Sequence, residues 1–211
     1  MQVIKATVNI LSEINSDDVL KSIELAARTC YKSEDLITED SAKKLVKRLI
    51  ESNHEAMLEF HDVTVKFICD RGVSHEIVRH RVASYAQEST RYCNYSKDKF
   101  GNELTFISNV LDDDAGIVGA DYYNALEAIE TAYFMALKKG FTPQQARAIL
   151  PNSLKTEICM KANLREWRHF FKLRCSPAAH PDMRYLALEL LKKMSDSIEL
   201  IFDDLKAQYL S

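Results

Sequence analysis

The sequence predicts an α+β fold, with an antiparallel or mixed central sheet packed with long helices in a single domain over residues 1–211. Three observations carry this. Val63, Val65 and Phe67 alternate with Thr64 and Lys66, the period-2 pattern of a strand with one buried face. Two long stretches instead repeat at helical spacing: Tyr122, Leu126, Ile129, Tyr133, Ala136 and Leu137, then Met183, Leu186, Leu190, Met194, Ile198 and Ile201. Strands and helices alternate without a regular β-α-β rhythm, which disfavours a doubly wound sheet. Internal repeats and low-complexity linkers are absent from the sequence, and 211 residues suffice for one substantial core.

In order, residues 2–11 read as a strand through Val3, Ala6, Val8 and Ile10. Ser16 or Asp17 caps a helix to about Arg28, and Thr38 with Ser41 opens another that ends near Asn53. After the strand at 63–67, Asp70-Arg71-Gly72 turns the chain. Ser74 then caps a short helix whose Ile77, Val78 and Val82 face inward, and which carries Arg79 and His80 beside Glu76. Residues 83–92 lack a helical period and read as an ordered loop. Leu104–Ile107 is a strand, Asp112–Asp114 reads as an acidic helix start, and a long amphipathic helix runs from Gly119 to Lys139, stopped by Gly140. Thr142-Pro143-Gln144-Gln145 is a capping box with proline at the first helical position, on the short helix that bears Arg147. Thr156–Ala162 is a strand. Asn163 caps Leu164–Arg174, and a last helix runs from Pro181 to Tyr209.

Composition excludes several classes. With 46% hydrophobic and 28% charged residues the chain is not disordered, and a net charge of -3 argues against a dedicated nucleic-acid binder. Residues 1–11 lack the apolar run of a signal peptide, and no stretch approaches the roughly 20 apolar residues that span a bilayer. Cys30, Cys69, Cys93, Cys159 and Cys175 are dispersed without a C-x-x-C, so neither a disulfide framework nor structural zinc is expected, and the reducing cytoplasm is the expected compartment.

The densest chemistry lies at Arg79-His80-Arg81 through Arg91-Tyr92. Three arginines, a histidine, Gln87, Glu88 and Ser89 crowd together there, suited to an anionic or planar ligand. The alternative is a solvated basic turn. On the helix from Leu164, the residues Leu164, Trp167, Phe170 and Phe171 form one apolar arc into which Arg174 projects. A guanidinium there needs an anion, which a ligand, a salt bridge or the helix end can each provide. Arg165 and His169, at i and i+4, can grip one ligand together. Metal chemistry is not expected: four residues after His54 comes Leu58, and His75 is followed by His80 at the wrong spacing for a zincin. No Gly-rich phosphate loop or G-x-S-x-G elbow occurs.

Arg79-His80-Arg81 followed, after seven residues, by Ser89 resembles the signature of the flavin-dependent thymidylate synthases. So do Ala83-Ser84-Tyr85, Gln87, Arg91-Tyr92, Ala146-Arg147 before Leu150-Pro151, Asn163-Leu164-Arg165, His169-Phe170, Leu173-Arg174, and His54-Glu55 with Glu59. The similarity runs from about His54 to Arg184, with separated motifs agreeing in order.

The resemblance implies reductive methylation of dUMP to dTMP, with 5,10-methylenetetrahydrofolate as carbon donor and an FAD hydride regenerated by NADPH. It also implies a cytoplasmic homotetramer with shared active sites, and neither nucleic acid nor membrane as partner. It implies that Arg79, Gln87, Glu88, Ser89, Thr90, Arg91, Arg147 and Arg174 hold dUMP, with Arg174 activating the pyrimidine. Glu76 stands where the family often has glutamine, so it either joins this set or orients Arg79. FAD would meet His54, Arg79, His80, Arg81, Gln87, Asn163, Arg165 and His169. Ala56 stands where relatives can offer a hydroxyl. Nothing around Cys175 resembles the nucleophile of the cysteine-dependent thymidylate synthases, so it reads as a small packed residue. The rival readings are a nucleotide- or RNA-binding protein without catalysis, using the arginine-tyrosine stretch as a stacking platform, and a flavoprotein that reduces another substrate.

Overall fold

Alternating burial makes the strands and capping side chains begin several helices. The computed structural model describes residues 1–108 and 119–211. It opens with β1 (Gln2–Lys5), β2 (Thr7–Ile10), α1 (Ser16–Thr29) and α2 (Ser41–Glu51), followed by a 3-10 segment at Glu55–Phe60. Then come β3 (Asp62–Asp70), α3 (Arg71–Ile77), β4 (Ala83–Gln87) and β5 (Thr105–Ser108). The helices α4 (Gly119–Lys138) and α5 (Pro143–Ala146) precede β6 (Lys155–Asn163), and α6 (Leu164–Arg174), α7 (Pro181–Ser197) and α8 (Asp203–Tyr209) complete the order. β2-β3-β6-β4 form a sheet of antiparallel strands, and β1 pairs parallel to β5 from Gln2–Thr105 to Lys5–Ser108. The fold is α+β, as the sequence predicts.

The chain divides into two compact units. The first holds Met1–Thr7, Phe67–Arg79 and Ala86–Ile158. Its core gathers Phe106 of β5 and Leu126 and Tyr133 of α4 with Tyr95, Leu104 and Leu154. Asp70 begins α3, its carboxylate accepting from the Val73 N–H at 2.8 Å. A Cβ on Gly72 would stand 3.0 Å from that same carboxylate oxygen, a tight contact that would press on the cap. The capping box on α5 forms, with the Thr142 N–H 3.0 Å from the Gln145 side-chain oxygen.

The second unit holds Val8–Lys66, His80–Tyr85 and Cys159–Ser211. Trp167, Phe170 and Phe171 of α6 are fully buried, and the Trp167 indole donates to the Val63 carbonyl at 3.1 Å. Burying each such ring favours folding by about 1.5–3 kcal/mol. Asn163 caps α6 by accepting from the Glu166 N–H at 2.9 Å. Arg168, 2% exposed, donates to Glu55 at 2.9 Å, to both carboxylate oxygens of Asp204 at 2.7 Å, and to the Ile201 carbonyl.

Several expectations are corrected. Residues 2–11 form two strands rather than one. Asn15, not Ser16 or Asp17, caps α1, its side chain accepting from the Asp17 and Asp18 N–H groups. α2 begins at Ser41, whose hydroxyl bonds back to Thr38. Asp70-Arg71-Gly72 is not a turn but the start of α3, which ends at Ile77. Val78 and Val82 are exposed, and Arg79 and His80 lie beyond the helix. The supposed loop at 83–92 begins with strand β4. The long C-terminal helix is two, broken after Ser197 where Leu200 takes φ 70°. The acidic stretch Asp112–Asp114 lies outside the described residues.

Candidate active site

In the second unit, α6 and its cap build one cluster. Arg165 and His169 are both exposed on the same face, as their spacing requires, and line a cleft of about 440 Å³ with Asn163, Glu166, Lys172, Val82, Glu55 and Glu59. The cations of this cleft already have partners. Arg165 meets Glu59 at 2.5 Å, and Lys172 meets Glu55 at 3.2 Å. Glu55 also binds Arg168; burial works to raise its pKa, but Arg168 and Lys172 outweigh this and hold the carboxyl below the usual range. His54 is exposed, directly before the 3-10 segment that carries both glutamates. Arg81 is exposed as well.

His80 is 3% exposed and sits against α6. Its Nε2 receives the Arg174 Nε–H at 3.0 Å, and its Nδ1 lies 3.2 Å from Glu166 Oε1. Arginine can only donate, so Nε2 must carry a lone pair. His80 is therefore neutral, with its proton on Nδ1 and directed at Glu166. Burial, then Arg174, then His169 push its pKa down to about 4. Burial raises the pKa of Glu166, with His169 pulling the other way. The Phe170 ring packs 4.8 Å from the His80 ring, and the Tyr85 hydroxyl donates to the His80 carbonyl at 2.5 Å.

His80, Glu166 and His169 bring possible metal-ligand atoms within 4.8 Å of one another. The His80 ring is hydrogen-bonded on both sides, to Glu166 at Nδ1 and to Arg174 at Nε2.

The first unit builds a second cluster. Gln87, at the end of β4, donates its amide to Ser74 at 2.9 Å and to Thr156 at 3.2 Å. Glu88 turns its carboxylate to the Tyr95 hydroxyl at 3.0 Å and to Lys155 at 3.1 Å. Those bonds anchor the turn that follows, in which the Cys93 N–H reaches the Ser89 carbonyl. Arg91 and Arg147 are both exposed. The Arg91 Nε–H is held by Gln144 at 2.6 Å, with its guanidinium 5.2 Å from the Tyr92 ring centre, and Arg147 donates to the buried Thr90 hydroxyl at 3.3 Å. Glu76 lies in the last turn of α3 and Arg79 just beyond it, where the Arg79 N–H bonds the Glu76 carbonyl at 3.3 Å.

Thus the fold gathers Asn163, Arg165, His169, His80 and Arg174 in one unit, and Gln87 to Arg91 with Arg147 in the other. Sequence reasoning missed Glu166, Lys172, Gln144 and Lys155. For Glu166 a signal existed: it sits four residues before Phe170, a carboxylate on the apolar side of a helix.

A family model described as thymidylate synthase complementing protein matches residues 11–198. The flavin-dependent thymidylate synthase of Corynebacterium aurimucosum is 33% identical over 195 residues, covering 86% of this chain and 78% of its own. The chain belongs to the flavin-dependent thymidylate synthase family. Another member, from Geobacter sulfurreducens, is 29% identical over 197 residues, covering 90% of this chain and 83% of its own. The crystal structure of the UMP/dUMP methylase PolB from Streptomyces cacaoi, bound with 5-Br dUMP, superimposes with a TM-score of 0.79. It covers 99% of this chain and 98% of that one at 19% identity, and so shares the fold of this flavin-dependent thymidylate synthase family member. Among the described residues, no helix is long and apolar enough to cross a membrane.

Proposed function

We propose that this chain methylates dUMP to dTMP, taking the carbon unit from 5,10-methylenetetrahydrofolate, with FAD as cofactor and NADPH as reductant. The observation that carries this reading is the bond between Arg174 and the neutral His80. It joins the Arg-His-Arg motif to the end of the helix that starts at Asn163, so two separated family motifs form one cluster.

The second unit's residues fit a flavin dinucleotide. Arg165 and Lys172, by exchanging Glu59 and Glu55 for a diphosphate, offer it two cations, while Asn163 and His169 offer polar edges for a ring system on the same cleft wall. His54, Arg79, His80, Arg81 and Gln87 complete the proposed set. The flavin, when bound, supplies the hydride.

For dUMP, Arg91 and Arg147 suit the phosphate dianion, since each guanidinium is already braced by a neutral partner. Ser89, Thr90 and the Gln87 amide add polar contacts, with Glu88 fixing their turn. Arg79 adds a further cation, and Glu76 shapes its approach. Arg174 stabilises negative charge that develops on the pyrimidine as the carbon unit adds. A cation fixed beforehand does this without reorganising when the charge appears. The assembly proposed is a homotetramer of single-domain protomers with shared sites, working in the cytoplasm.

An absorbance spectrum of the purified protein tests this, followed by NADPH titration with and without dUMP. The expected result is a flavin spectrum whose bleaching responds to dUMP, with dTMP formed once the folate is added. A colourless protein that takes up no FAD overturns it in favour of a non-catalytic nucleotide binder.

A further inference from the structure

We propose that Glu166 is a positioning residue that holds the Arg174 guanidinium in place through His80. Two hydrogen bonds make the relay: Glu166 Oε1 to His80 Nδ1 at 3.2 Å, and His80 Nε2 to Arg174 Nε at 3.0 Å. Its direction is fixed by chemistry. The guanidinium has no acceptor, so the imidazole must accept at Nε2 and donate at Nδ1, and a carboxylate is the partner that only accepts. The Nε–H lies in the guanidinium plane, so pinning it sets the orientation of the whole charged group.

Each joint is braced. Glu166 is held by its own backbone N–H on the Asn163 cap, and is buried. The His80 ring packs against Phe170, and its carbonyl receives the Tyr85 hydroxyl. Glu166 and Arg174 stand eight residues apart on α6, about 12 Å along a helix axis, beyond direct reach of one another. His80 closes the gap. Without the acceptor, the buried Nδ1–H would lose its partner and the ring would be driven to rotate or change tautomer, loosening its hold on the Arg174 Nε–H.

The kinetic part of the test rests on the reading of Arg174 as the cation beside the pyrimidine; the structural part does not. Glu166→Ala, Glu166→Gln, Arg174→Ala and the double variant Glu166→Ala/Arg174→Ala are compared in the flavin-loaded protein, with circular dichroism confirming folding. Glu166→Ala is expected to lower kcat for dTMP formation about tenfold or more, the scale on which supporting hydrogen bonds act. Glu166→Gln, which keeps a carbonyl acceptor, is expected to restore most of it. The double variant should be no slower than Arg174→Ala alone, because both changes cut one relay. Additive losses, unchanged turnover in Glu166→Ala, or no rescue by glutamine would each overturn the proposal.

A nitrogen-15 spectrum of the arginine Nε–H groups gives the second readout. The Arg174 signal should be protected from exchange in the wild-type and Glu166→Gln proteins and lose that protection in Glu166→Ala. If the wild-type chain makes no dTMP, the functional reading fails alone, and this spectrum decides the relay. Loss of protection upholds it, and unchanged protection overturns it.

Discussion

Arg168 and Asp204 face one another through two parallel N–H···O bonds of 2.7 Å each, a bidentate fork between the buried centre of α6 and the start of α8. Such pairs combine charge with fixed geometry. Asp204→Asn leaves the guanidinium one neutral acceptor in place of two charged ones. Because Asp204 is half exposed, water replaces part of the loss, so the expected cost is about 1–2 kcal/mol. For a chain of this length that lowers the melting temperature by about 2–8 °C, read by calorimetry. Burial works to raise the pKa values of both Asp204 and Glu55, but Arg168, with Lys172 at Glu55, outweighs it and holds both low. The stability they contribute is present above the ordinary carboxylate range and is lost as pH falls through their depressed values. Asp204→Asn should lose less stability than wild type on acidification below about pH 4.

His80 gives a second pH window, higher than the first. Its pKa falls from 6.5 in the unfolded chain to about 4 in the folded one, with burial the main cause and Arg174 and His169 adding to it. Between those values the unfolded chain binds more protons, so stability is complete above 6.5 and declines as pH drops toward 4. The whole decline amounts to about 3 kcal/mol. Glu166, whose pKa is raised, acts in the opposite sense as it takes up its own proton. Melting temperatures of the wild type and His80→Asn between pH 6.5 and 4 should show the flatter slope in the variant. An equally steep slope would mean that His80 is not the group responsible.

Arg147→Ala should raise the KM for dUMP about 10- to 100-fold, the range for losing a charge-assisted pair with phosphate. The change in kcat should be smaller. Gln144→Ala should shift KM in the same direction by only a few-fold, since it removes a brace on Arg91 and leaves the charge in place. Steady-state kinetics at fixed ionic strength separate the two.

Arg174→Ala is expected to fold and retain flavin while dTMP formation falls about 10²- to 10³-fold, the loss typical of one preorganised electrostatic group. His80→Ala should retain flavin more weakly. Equilibrium dialysis with FAD and single-turnover product analysis report the two effects apart. Wild-type turnover in Arg174→Ala would remove that residue from the chemistry.

Local rules made much of α6 legible from sequence. Asn163 is a good cap, Trp167, Phe170 and Phe171 define the buried arc, and Arg165 with His169 must share a face at four-residue spacing. The same arc drew attention to Arg174. Nothing local could reveal that His80 answers it, because the two are 94 positions apart in the chain. Glu166 was hidden in the same way, 86 positions from its histidine.

β4 escaped recognition for a different reason. It is the edge strand of its sheet, and Ser84, Ala86 and Gln87 are exposed while Ala83 and Tyr85 are only half-buried. With no buried apolar alternation, its periodicity is too weak to read. The break before α8 lacks glycine or proline. Leu200 takes the left-handed conformation there without either of the residues that usually announce it.

Arg168 reaches Glu55, Ile201 and Asp204, contacts separated by 113, 33 and 36 positions. This sets an order of assembly. On a growing chain, the guanidinium cannot find its charged fork until residue 204 has emerged, and a buried arginine lacking that partner resists desolvation. Glu55, a wall of the cleft, is tied to the same arginine, so its full set of neighbours is complete only once residue 204 is in place. Pulse-labelled hydrogen exchange during refolding should find the backbone amides around Glu55 and Asp204 protected in one late step, after α4 has closed its own core.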